Sequence, residues 1–280
     1  MMILVPTDFS PQAQIALDFA CEIALQSEAE LLLYHCVENL PQGWTEWPDR
    51  EKDKDPAQRK IMQEVGEKMQ KISVKASNRG IRNQTLISTG DFFKSLSEVM
   101  EKHPIDLTIM GTHGISGKQE YFIGSNTQKV IRRVHGNILV VKEHVDKISF
   151  KKVLFASDLG QEEKQAFHAF LLFLRFFDTE EIHILTIDTP GFFSQPRVLV
   201  AELQKEFSQM AAGYDCTTHF IRNFTIEGGI RKFSEDLGVD LIGISNYQKH
   251  PIKRIFSGSN VEMLANHAAT PVLSLDNPGN

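Results

Sequence analysis

The chain has 280 residues, 41% of them hydrophobic and 24% charged, with a formal net charge of −6. That length suits two domains of about 140 residues, each with ample core, and the acidic balance excludes a global attraction to nucleic acid or to an anionic membrane. No apolar run approaches the roughly 20 residues that span a bilayer, and Cys21, Cys36 and Cys216 have no metal-binding or redox spacing, so the expectation is a cytoplasmic protein with buried free thiols.

The opening MMILVPTDFS lacks a basic region and reaches an acid at Asp8, so it reads as a strand and not as a signal peptide. Thr7-Asp8-Phe9-Ser10-Pro11 then starts a helix, with Ser10 as N-cap and Pro11 at the first helical position. Ile15, Leu17, Phe19, Ala20, Ile23 and Ala24 give that helix a broad apolar face. A second strand over Leu31–Val37 leads into a long segment holding Trp44 and Trp47. A charged helix over about 57–78, a third strand near 82–88 and a helix opened by Asp91 follow. Leu107–Met110 is short and apolar enough for a buried fourth strand, and Ile138–Val141 makes a fifth. Strands alternating with helices predict parallel pairing, right-handed crossovers and a doubly wound α/β sheet.

The stretch after the fourth strand carries the chemistry. Gly111, Gly114 and Gly117 are followed by Gly124-Ser125, where a helical pattern begins. Glycine lets backbone N–H groups approach an anion, and a helix N-terminus adds unpaired donors and the positive end of its dipole. Strand, glycine loop, Gly-Ser and helix together describe a phosphate cradle. It is not a Walker loop, because five residues separate Gly111 from Gly117 and Gln119 stands where Ser or Thr would meet Mg²⁺. Nor is there a GxGxxG here.

The pattern then repeats. KKVLFASDLG at 151 echoes the N-terminus, with Asp158 lying 150 residues after Asp8. Asp106 and Asp240, Gly124 and Gly258, Asn137 and Pro271 are each 134 residues apart. A shared offset argues for duplication. The boundary is read at 146/147, giving halves of 1–146 and 147–280. By the constant offset, Ser245 replaces Gly111 and Gln248 replaces Gly114, so the second cradle is degenerate although Asp158, Gly258, Ser259 and Asn260 persist.

The spacing G-x2-G-x9-G-S, together with the duplication, resembles the universal stress protein family in a tandem form, and the resemblance covers nearly the whole chain. It implies two Rossmann-like (adenine nucleotide alpha hydrolase-like) domains, each a five-stranded parallel sheet of order 3-2-1-4-5 with helices on both faces. In such sheets ligands lie beyond the carboxyl ends of the strands where the order reverses, here between strands one and four. Carried over by position, the resemblance implies an adenosine end formed by Pro6, Thr7, Asp8 and Cys36 and a loop formed by Met110, Gly111, His113 and Gly114. Gly124, Ser125, Asn126 and Thr127 would stand at the phosphates. Mg²⁺ would ride with the triphosphate through its oxygens and waters.

Three functions are weighed. The first is an ATP-binding stress or regulatory protein that holds nucleotide in the N-terminal half, with none expected in the C-terminal half. The second is an interaction module with an empty crevice, its fold kept for dimerisation. The third, ranked last, is an enzyme with weak ATPase activity, since no base, arginine finger or metal-binding carboxylate pair is visible. The resemblance also implies that the two fifth strands pair into an intramolecular pseudo-dimer, with whole chains pairing further into a homodimer. Neither nucleic acid nor membrane is expected as a partner.

Overall fold

A computed structural model describes residues 1–112, 125–144, 147–189, 197–246 and 260–276. The described chain forms an α/β structure that divides into two compact units, Met1–Gly111 and Thr112–Asn280.

In the first unit the strands are β1 (Met2–Pro6), β2 (Glu30–Val37), β3 (Asn83–Thr89) and β4 (Leu107–Gly111), in the order β3-β2-β1-β4. All three pairings are parallel. Ile3, Leu4 and Val5 are buried, as expected of strands covered on both faces. Helix α1 (Pro11–Ser27) starts where sequence placed it, with the Ser10 hydroxyl accepting from the Ala13 amide at 3.2 Å. The 57–78 pattern becomes α3 (Pro56–Asn78), capped by Asp55, and Asp91 caps α4 (Phe92–Lys102). The segment after β2 is more structured than its composition suggested. It contains a 3-10 turn (Trp44–Glu46) and a short helix α2 (Asp49–Lys52). Trp44 is buried, and its amide donates to Thr89 Oγ1 at 2.9 Å.

The second unit gathers α5 (Ser125–Arg133) and β5 (Ile138–Val141) with the whole second repeat. That repeat supplies β6 (Lys152–Ala156), α6 (Glu163–Leu174), β7 (Glu181–Asp188), α7 (Arg197–Met210) and β8 (Asp215–Arg222). It continues with α8 (Ile226–Leu237), β9 (Leu241–Ser245), a helix here called α9 (Asn260–His267) and β10 (Val272–Leu275). The strand order is β5-β10-β9-β6-β7-β8. Strands β6 to β10 pair in parallel, whereas β5 runs antiparallel to β10 with Val140 opposite Val272 and Leu139 opposite Leu273. Compactness therefore cuts the chain at 111/112, because this strand pair ties the tail of the first repeat to the second.

The repeat is visible in small geometry as well as in topology. Asp106 Oδ2 accepts from the Met2 amide at 2.7 Å, and Asp240 Oδ2 accepts from the Lys152 amide at 2.9 Å. Each acid pins the first residue of a half's opening strand, which explains why this landmark recurs.

Polar contacts reinforce the β5–β10 seam. Arg132 Nε donates to Glu262 Oε1 at 2.6 Å, and Gln128 Nε2 donates to Glu262 Oε2 at 3.3 Å. Arg132, in the basic last turn of α5, is thus committed to a buried carboxylate. Lys142, also buried, donates from Nζ to the carbonyls of Asn266 and Ala268, both at 2.6 Å. Burial pushes its ammonium down to about 8 from an ordinary 10.5. Between those values the unfolded chain binds more protons at this site than the folded one, so stability rises with pH across that window. The wild type is expected to gain on Lys142→Met by about 1 kcal/mol per pH unit between pH 8 and 10.5. Urea titrations of both proteins across that range test this, and a difference flat in pH would contradict it.

Candidate nucleotide site

The two βα turns that open the repeats are built alike. At the exit of β1 the Phe9 amide donates to Thr7 Oγ1 at 3.0 Å and the Ser10 amide donates to Asp8 Oδ1 at 2.9 Å. At the exit of β6 the Leu159 amide donates to Ser157 Oγ and the Gly160 amide to Asp158 Oδ1, both at 2.9 Å. Phe9 and Leu159 each take a left-handed φ of 62°, a rare conformation for side chains of their size. Asp8 and Asp158 thus share a turn-forming job that engages Oδ1 of each carboxylate. Asp8 remains exposed, Thr7 half-buried and Pro6 buried.

In the first unit β1 and β4 are adjacent and parallel, with Ile3 opposite Leu107 and Leu4 opposite Thr108. Pro6-Thr7-Asp8 and Met110-Gly111 therefore leave the sheet side by side, at the point where the strand order reverses. Gly111 has a packing reason to be glycine. A Cβ there would stand 2.0 Å from the Gln12 carbonyl oxygen and 2.6 Å from its carbon, at the start of α1. In the second repeat α6 begins only at Glu163, whereas Gln161 is the counterpart of Pro11, and Ser245 carries a side chain at the position of Gly111.

Cys36 is half-buried, and its Sγ donates to the Gly90 carbonyl at 3.4 Å; Cys216 is also half-buried. The expectation of three buried thiols thus holds for Cys21 alone. The reason is position: Cys36 lies near the carboxyl end of β2, and Cys216 lies on the edge strand β8. Burial raises the Cys36 thiol above its ordinary value. Asn126 and Thr127 lie in the first turn of α5 in the second unit, Asn126 half-buried and Thr127 buried. Helix α5 starts at Ser125, matching the predicted Gly-Ser helix start. His113, Gly114 and Gly124 lie outside the described residues, as does the side chain of Ser125.

Sequence reasoning missed His35 and Lys68. His35 Nδ1 bonds the Thr7 carbonyl at 2.6 Å, and its ring lies 4.6 Å from that of Phe9. Lys68 Nζ sits 5.3 Å from the centroid of the same Phe9 ring. Burial lowers the His35 pKa, partly offset by the Thr7 carbonyl and by Asp8. A ring holding the β1 turn to the β2 exit leaves no periodic trace, because it depends on the register that sets β1 beside β2. Trp44 Nε1 is a buried donor without an acceptor among the described residues, the kind of group that a water or ligand satisfies. Among the described residues no group of three or more His, Cys, Asp or Glu could hold a metal, and no helix is long and apolar enough to cross a membrane.

Comparison with known proteins bears on the family and the fold. A universal stress protein of Methanocaldococcus jannaschii is 28% identical over 157 residues, covering 50% of this chain and 93% of that protein. Universal stress protein A of Escherichia coli is 25% identical over 142 residues, covering 50% of this chain and 92% of its own length. The whole fold resembles the crystal structure of a universal stress protein from Archaeoglobus fulgidus, with a TM-score of 0.74 and 17% identity over 99% of this chain and 98% of that one. Residues 1–142 match the universal stress protein family itself, and on that match the chain belongs to this family.

Proposed function

We propose that the N-terminal half binds one ATP and that the chain acts as a stress-response or regulatory protein through its nucleotide state. The observation that carries this reading is the convergence of Thr7-Asp8 and Met110-Gly111 at one switch point, followed in sequence by Gly114, Gly124 and a helix beginning at Ser125. The residues present fit the group. Pro6, Thr7, Asp8 and Cys36 would hold the adenosine, and Met110, Gly111, His113 and Gly114 would line the loop. Gly124, Ser125, Asn126 and Thr127 would meet the phosphates. Mg²⁺, when bound, neutralises phosphate charge; this chain's residues bind and orient. The expected consequence of nucleotide is loop order and changed partner contacts rather than turnover.

The repeat boundary at 146/147 belongs to the same proposal, in which the halves form an internal pseudo-dimer and whole chains pair further in the cytoplasm. The antiparallel β5–β10 pair supports it, since each edge strand removes the other's unpaired backbone groups. A second reading, an interaction module with no nucleotide, draws on the degenerate loop of the second half.

Calorimetry on the full chain separates the two. The wild type is expected to take up one ATP per chain, and Gly114→Trp to lose binding altogether. Unaltered affinity in that variant would remove the assignment, and saturation at two ATP per chain would remove the asymmetry between halves.

A further inference from the structure

The second repeat keeps a cavity at its own switch point, of about 150 Å³. Its polar lining is Ser157, Asp158, Glu163, Ser245 and Asn260. Its apolar lining is aliphatic, supplied mainly by Ile187, Ile226, Ile230 and Ile244. At three of these positions the second half carries the larger side chain. Glu163 stands 150 residues after Ala13 and puts a carboxylate, 8% exposed, where the first half has a methyl group. Ile187 stands in the strand register where β2 has Cys36, and Ser245 where β4 has Gly111.

Size and charge both argue against a nucleotide here. A cavity of about 150 Å³ accommodates a molecule of benzene size, about six non-hydrogen atoms, whereas drug-sized ligands occupy about 300 Å³ or more. Two carboxylates, Asp158 and Glu163, line it, and a phosphate would meet their repulsion. A protonated amine would meet acceptors at one end and branched aliphatic side chains at the other. Asp158 and Glu163 make other interactions within the fold, so an incoming ammonium adds to their partners and does not supply the first.

We infer that this cavity is a binding site for a small branched aliphatic ammonium compound, with Asp158 and Glu163 receiving the ammonium and the four isoleucines enclosing the hydrocarbon. The site is independent of ATP in the N-terminal half. It gives the second repeat a ligand of its own, selected by charge and by size.

The test uses the full chain labelled at isoleucine δ1 methyls and titrated with 3-methylbutylammonium, 3-methylbutanol and 3-methylbutanoate. A ligand of about six atoms is expected to bind in the millimolar range. The amine should shift the methyls of Ile187, Ile226, Ile230 and Ile244 saturably. The alcohol should bind about tenfold more weakly, and the carboxylate should give no saturable shift. Glu163→Gln, which keeps shape and removes charge, should weaken the amine about tenfold. Asp158→Asn provides a second reading should Glu163→Gln disturb folding, which the methyl spectrum itself reports. No saturable shift up to about 50 mM amine, a carboxylate that binds as well as the amine, or full affinity in a folded charge variant would each overturn the assignment.

Discussion

Val140→Asp is expected to lower the thermal midpoint of the Thr112–Asn280 unit by about 10 °C. Val140 is 2% exposed and lies opposite Val272 in the antiparallel β5–β10 pair. The substitution forfeits the burial of an aliphatic side chain, about 1.5–3 kcal/mol. It also places a carboxylate where none of the strand-pair neighbours can pair with it, at a cost of several kcal/mol moderated by protonation. A total of about 4 kcal/mol corresponds to about 8–16 °C for a unit of this size. Val140→Ala separates the two contributions: with no charge to bury, it should cost about 2 kcal/mol. Calorimetric scans of the three proteins check the result. A shift under about 2 °C for the aspartate variant would mean that the seam between the fifth strands contributes little.

Gly111→Ser is expected to cost about 3 kcal/mol or more, while the reverse change in the other half, Ser245→Gly, should cost about 1 kcal/mol or less. The asymmetry follows from what a Cβ meets. At Gly111 it would lie 2.0 Å from the Gln12 carbonyl oxygen, and backbone at a helix start cannot step aside as a flexible side chain can. At 245 a side chain is already accommodated, beside a cavity and ahead of a helix that starts later. Urea denaturation of both variants measures the difference, and equal costs would refute the packing account. The result also bears on the nucleotide. Lost ATP binding in Gly111→Ser would reflect a displaced α1 as much as a blocked phosphate, so Gly114 is the more diagnostic position.

Much of the architecture was legible in the sequence because it depends on local pattern. Short apolar runs at Met2–Pro6, Leu107–Gly111 and Ile138–Val141 became strands, and Ser10 and Asp91 became helix caps, because capping and periodicity are encoded within a few residues. The duplication was legible for the same reason, and the equivalent bonds made by Asp106 and Asp240 give its landmarks a physical basis. Sequence also singled out Asp8 and Gly111 as a ligand pair, with a helix cap and a plain glycine turn as their structural alternatives.

The Asx turn of Asp8 is local, but only the tertiary structure showed what keeps position 111 a glycine, since a helix carbonyl 2.0 Å from an absent Cβ is a property of chain segments brought together by folding. The same holds for His35 against Thr7 and for Arg132 against Glu262, partners separated by 28 and 130 residues, and for Glu163 and Ser245, which line one cavity. Local propensity determined which elements exist. Which side chains meet was decided by strand register and helix placement, because a contact across the sheet leaves no mark on the periodicity of either segment that makes it.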